Sequence, residues 1–187
     1  MSRIPLLGYE QVGGEVREEW DRQVAAHGRM THMKRTLAHS APALRALMEW
    51  YPLEREVAAF LGERLTVLFA HAVSAQADCL ICSTFFRRML IEAGEDPDAL
   101  KLTERERMVA EFGRQLARDA NGVSDEQYRA LARELEPARI VTLTAFGAMM
   151  LATNVFNNAL RVELDEYLGP FAKAPGGAAR PAKGGAS

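Results

Sequence analysis

The chain has 187 residues, 48% of them apolar and 26% charged, which suits one domain with a substantial core. A formal charge of −2 offers no basic stripe for nucleic acid, and no run of apolar residues reaches the ~18–20 that a membrane span needs. The opening Met1-Ser2-Arg3-Ile4-Pro5 lacks the apolar core of a secretory signal, so the expected location is the cytoplasm, with no membrane and no nucleic-acid partner.

The pattern is helical almost throughout. Ala, Leu, Glu and Arg dominate, Val, Ile and Thr are sparse, and no period-2 alternation is sustained. The first predicted helix covers 14–27 and closes at Gly28. A short helix or turn follows around 30–38. Ser40 caps the next helix, with Pro42 in its first turn, and Pro52 is expected to kink or end it after Trp50-Tyr51. Further helices are expected over 54–60 and, after Gly62, over 63–76.

Another helix starts near Asp78-Cys79, with Asp78 as the candidate N-cap, and ends at Gly94. Thr103 with Glu106 and Ser124 with Gln127 read as capping boxes that open helices of about 104–119 and 125–135. Pro137 opens a long last helix of about 138–167, halted by Gly169-Pro170. That helix is apolar on more than one face, from Ile140 to Phe156, as expected of a helix central to the core or shared with a second subunit. Residues 1–172 thus form one all-α domain. The segment 173–187, rich in Gly, Ala and Pro, reads as a disordered tail.

The chemistry sits in Cys79-Leu80-Ile81-Cys82, the only two cysteines of the chain. At i and i+3 on one helix their Cα atoms lie about 5 Å apart, within reach of a disulfide. Thiols in a helix's first turn meet free backbone N–H groups that favour thiolate, the form that attacks a peroxide or a disulfide. Two other readings stand beside the redox one. Buried cysteines act as small hydrophobes, and a zinc site needs two further ligands, for which His27, His32, His39 and His71 are the nitrogen donors.

The run Ala72-Val73-Ser74-Ala75, three residues and then Cys79-x-x-Cys82 resembles the active-site segment of the alkylhydroperoxidase D / carboxymuconolactone decarboxylase family. The resemblance continues through Arg87, Arg88, Leu90 and Gly94. A weaker similarity spans about 44–168, including Asn154 and Asn157-Asn158. It implies an all-helical, oligomeric fold, often trimers or hexamers, and needs no cofactor or metal. By resemblance Cys82 attacks the hydroperoxide, Cys79 resolves the sulfenic acid as a disulfide, and a thiol reductant, protein or small molecule, reopens it.

The family's Glu and His proton relay is missing. Val67 stands twelve residues before Cys79, and Phe86 four after Cys82. His71, one helical turn beyond Val67, is the candidate replacement base, against the alternative of a partly buried histidine bonded to backbone. Arg87 and Arg88 either lower a thiol pKa or form a solvated face. The expected function is a thiol-dependent oxidoreductase, a weak peroxidase or disulfide reductase. The alternative is a non-catalytic binding or assembly protein that keeps the fold without the relay.

Overall fold

The computed structural model describes residues 2–173, so all of the expected tail except Lys173 lies outside the described residues. Nine α-helices and no strand occur among them. These are α1 Gly14–His27, α2 His32–Leu37, α3 Ala41–Met48, α4 Trp50–Leu61, α5 Glu63–Gln76, α6 Leu80–Glu92, α7 Glu104–Arg118, α8 Asp125–Glu134 and α9 Pro137–Leu160.

Both capping boxes form. The Glu106 amide donates to the Thr103 hydroxyl while the Thr103 amide donates to the Glu106 carboxylate, and Ser124 and Gln127 repeat the exchange. Pro52 does not break a helix. It is the third residue of α4, where the backbone N–H it lacks has no intrahelical partner. Chain direction changes instead at Gly62, the single residue between α4 and α5. Its φ of 83° is open to glycine and costly for other residues.

Helix α5 is the centre. Phe69, Ala70 and Val73 are wholly buried, and α4, α6, α7 and α9 pack around them. From α9, Leu143, Phe146 and Met150 complete the core. In length and composition α9 is apolar enough to cross a bilayer, which corrects the expectation that no segment is. Here its inner face fills the core, and it ends at Leu160, earlier than predicted. Its outer face leaves Val141, Ala145, Ala148, Ala152, Val155 and Ala159 exposed. They are spaced alternately four and three residues apart, the spacing of a coiled-coil seam.

Two helices approach α5 closely through glycine. A Cβ on Gly113 of α7 would meet the Phe69 ring at 3.0 Å, and one on Gly147 of α9 would meet the same ring at 3.1 Å and Leu116 at 2.7 Å. Pinned from both sides, the ring has no free direction in which to yield. Gly147→Ala gains up to about 1 kcal/mol in helix propensity, but overpacking a filled core costs about 1–3 kcal/mol. The variant is therefore expected to be less stable, with a lower urea midpoint at unchanged slope. A midpoint at or above that of the parent would show that the core yields here.

Candidate active site

The turn from α5 to α6 sets both cysteines. After Gln76 the chain closes with paired hydrogen bonds: the Asp78 amide donates to the Ala75 carbonyl at 3.2 Å, and the Cys79 amide to the Ser74 carbonyl at 3.1 Å. This is the double bond pattern that ends helices in a left-handed residue. Asp78, at φ 51°, is that residue. It is thus the C-terminal stop of α5 and not the N-cap of α6, a correction to the sequence reading. Aspartate tolerates the left-handed region better than most residues, which is why it reads equally well as a turn or a cap. Asn158 of α9 steadies the turn by donating to the Ala77 carbonyl at 3.0 Å.

Cys79 is itself the N-cap of α6, and Cys82 lies in the first turn. Both are free thiols, and both are buried. The neighbouring Cys82 thiol, as a hydrogen-bond donor to the Cys79 sulfur, above all holds the Cys79 thiol below its usual pKa. The backbone N–H groups of Cys82 and Ile81 and the amide of Asn157 add to it, against the opposing effect of burial. Cys82 is pushed well above its usual range, because the same bond engages its proton and burial penalises its charge. The pair therefore holds one proton tightly and the other loosely, as a coupled dithiol does.

Asn157 is the residue that sequence reasoning left without a role. Its Nδ2 lies 3.4 Å from the Cys82 sulfur and 4.0 Å from that of Cys79, close enough to donate to either. Its side chain is buried. The signals for it were the resemblance, which takes in Asn154 and Asn157-Asn158, and the place of these amides on a largely apolar helix, where a buried amide needs a partner.

Cys82 opens on a cavity of about 90 Å³ between α2, α4, α6, α9 and the turn at Asp165–Leu168. Its wall is mostly apolar, with Met33, Met48, Trp50, Phe85, Phe86 and Met150. A second cavity of about 170 Å³ shares Trp50, Tyr51, Phe85 and Phe86 with the first. Val67, Phe86 and Glu54 line it together, so the two positions where the family carries its relay do converge, with apolar side chains in place. Both are buried.

His71 belongs to other surroundings. Burial first, then Arg87 and Arg114, lower its pKa to about 4, and Asp98 and Lys173 are its other charged neighbours. Among the described residues no hydrogen bond links it to either thiol, and it does not line the Cys82 cavity. A base so weakened accepts a thiol proton poorly. Arg87 pairs with Asp98, and Arg88 with Glu92 and the Phe85 and Tyr167 rings, so both arginines are engaged away from the thiols. The remaining histidines serve the scaffold. His27 stacks on Tyr51, His32 contacts the Glu163 carbonyl and His39 the Pro5 carbonyl. Among the described residues no three of His, Cys, Asp or Glu are grouped to hold a metal.

The all-helical arrangement, with the dithiol at the α5–α6 turn, is an alkylhydroperoxidase D-like fold. It is shared with the structure of an alkylhydroperoxidase D core, an uncharacterized peroxidase-related protein from Ralstonia eutropha JMP134. The match has a TM-score of 0.72 at 17% identity and covers 89% of this chain and 94% of that one. A second, an uncharacterized peroxidase-related protein from Silicibacter sp. TM1040, gives 0.69 at 15% identity over 91% and 95%. At such identities the likeness is one of fold. No family model matches the sequence, and no curated protein matches it either.

The coupling makes a spectroscopic prediction. Ultraviolet thiolate absorbance of the reduced protein is expected to rise in two separated steps, one thiolate each. Cys82→Ala removes the S–H donor and should move the remaining Cys79 titration to higher pH. An unchanged Cys79 titration would show that the two thiols are independent.

Proposed function

We propose that this protein is a dithiol peroxidase that reduces organic hydroperoxides in the cytoplasm at the expense of a thiol reductant. The observation that carries the reading is the pair of free thiols Cys79 and Cys82 at the start of α6, both within reach of the Asn157 amide, with Cys82 lining a cavity. The singly ionised pair contains its own base. Proton transfer along the S–H···S bond moves the thiolate from Cys79 to Cys82, the thiol the cavity reaches. No Glu or His is required for that transfer. The Cys82 thiolate then attacks one peroxide oxygen, forming S–O and breaking O–O, and the departing alkoxide takes up a proton to leave as the alcohol. Cys79 attacks the resulting sulfenic sulfur, closing the disulfide and releasing water. An external dithiol exchanges with that disulfide and restores both thiols.

The apolar replacements Val67 and Phe86 favour a second reading, a non-catalytic member of the fold. Peroxide separates the two. Under the peroxidase reading, mild treatment with cumene hydroperoxide removes two free thiols per chain together, and a dithiol restores them. Limited alkylation of the reduced protein, mapped by mass spectrometry, labels Cys82 first. Thiols inert to peroxide would leave the non-catalytic reading, and first labelling of Cys79 would reverse the two roles.

We also propose that a second copy of this chain covers the seam on α9. The exposed Val141, Ala145, Ala148, Ala152, Val155 and Ala159 carry no charge, and small residues at this spacing let two helices approach closely. Light scattering at micromolar concentration is expected to show an oligomer that Val155→Glu dissociates. A stable monomer in the parent protein would remove the claim.

A further inference from the structure

Lys34 is the most unusual charge in the molecule. It stands on α2, only 2% exposed, and lines the same cavity as Cys82. Its ammonium lies 4.9 Å from the centre of the Tyr51 ring. Among the described residues its ammonium makes no hydrogen bond or ion pair. The carboxylate nearest in effect, Glu19, is already paired with Arg22 and bonded by Gln23. A buried cation without a counter-charge is costly to keep, and a ligand's anion removes that cost.

The charge is not aimed at the thiols. The acidity of Cys82 is set by Cys79, burial and Asn157, with no contribution from Lys34. Lys34 and Cys82 are thus separate polar points on one apolar wall. Asp165, the carboxylate on that wall, accepts the His32 amide at 2.9 Å and has Arg29, His32 and Glu166 as its charged neighbours, not Lys34.

We propose, building on the peroxidase reading, that the cavity takes hydroperoxides whose apolar body carries a carboxylate, which Lys34 binds while the peroxide end lies at Cys82. The balance of the reaction is unchanged, since the carboxylate takes no part in it. Burial lowers the pKa of Lys34 to about 8, with Glu19 opposing, so the ammonium is mostly charged at neutral pH and a bound anion holds it so. Charge-assisted bonds at such a site contribute about 10- to 100-fold in affinity.

The test uses a redox-inert pair, 4-isopropylbenzoate and 4-isopropylbenzamide, titrated calorimetrically into the reduced protein. The acid is expected to bind about 10- to 100-fold more tightly. Lys34→Met should abolish that preference and Lys34→Arg keep part of it, with folding checked by circular dichroism. Equal binding of acid and amide, binding of neither, or a preference surviving in folded Lys34→Met overturns the proposal.

If Lys34→Met does not fold, the parent protein decides by pH. The other titratable groups on the cavity wall are Tyr51, Asp165, Tyr167 and Cys82, with Glu19 from α1, His27 stacked on Tyr51, and Cys79 behind it. Raising the pH from about 7 to about 10 discharges Lys34 while the benzoate stays ionised, so the advantage of the acid should shrink and amide binding should hold. An advantage that persists undiminished overturns the proposal.

Thiol loss with cumene hydroperoxide and with its 4-carboxylate derivative tests the parent reading separately. Thiols inert to both overturn the peroxidase reading and, with it, the hydroperoxide as ligand. Equal rates for both overturn only the role of Lys34.

Discussion

The hydrogen bond from the Cys79 amide to the Ser74 carbonyl does two things at once. It terminates α5, and it fixes the residue from which α6 starts. Because Asp78 takes the left-handed conformation between them, the chain reverses within three residues and Cys79 arrives as the N-cap. Its sulfur is then near the free backbone N–H groups of the first turn, and Cys82 follows one turn on. The acidity of the pair, the S–H···S bond and the exposure of Cys82 to a cavity all follow from that one reversal. Asn158 and Asn157, neighbours on α9, hold the turn and the sulfurs respectively, so the last helix of the fold also keeps the register of the site.

Charge placement in this site differs from that of a relay-equipped one. With Val67 and Phe86 at the relay positions, the thiols have the Asn157 amide and the backbone N–H groups of the α6 start as polar company, and no carboxylate or imidazole hydrogen-bonded to them among the described residues. In such a medium an isolated thiolate is unfavourable, and a thiolate that keeps a neighbouring S–H is less so. The dithiol is then more than a resolving pair, since each sulfur supplies the environment the other needs to hold or lose a proton. Lys34 lines the same cavity as a cation with little solvent, set over the Tyr51 ring and without an ion-pair partner among the described residues.

Much of this was legible in the sequence. Helix starts marked by Thr103-Glu106 and Ser124-Gln127 were found because the residues that satisfy free amides are specific and local. The bounds of α5 were found because Gly62 and the apolar run after it leave few alternatives. Pro52 and Asp78 were misread for one reason: each is compatible with two positions about one helix end, and only the neighbouring hydrogen bonds decide between them. The convergence of Val67 with Phe86 followed from the resemblance, whereas Glu54 beside them did not. Lys34 was illegible, because nothing local distinguishes a buried lysine from a solvated one. Its surroundings include Tyr51 of α4 and the turn at Asp165, which no residue next to it in sequence announces. His71 had the right helical spacing and the wrong surroundings, set first by its burial and then by Arg87 and Arg114 on two other helices.

Three methionines, Met33, Met48 and Met150, stand in the wall of the Cys82 cavity. Met33 also lies 3.5 Å from the amide of Asn157, and the indole N–H of Trp50 donates to the sulfur of Met150. Thioethers react with peroxides, and a sulfoxide is polar, larger and chiral. Any peroxide lodged here therefore meets three thioethers in the same chamber as the Cys82 sulfur. Each conversion would roughen an apolar wall and pull at the amide or indole that shares the sulfur. On the proposed peroxidase reading such a chamber would wear with use, and its working life would depend on how fast Cys82 removed the oxidant before a thioether did.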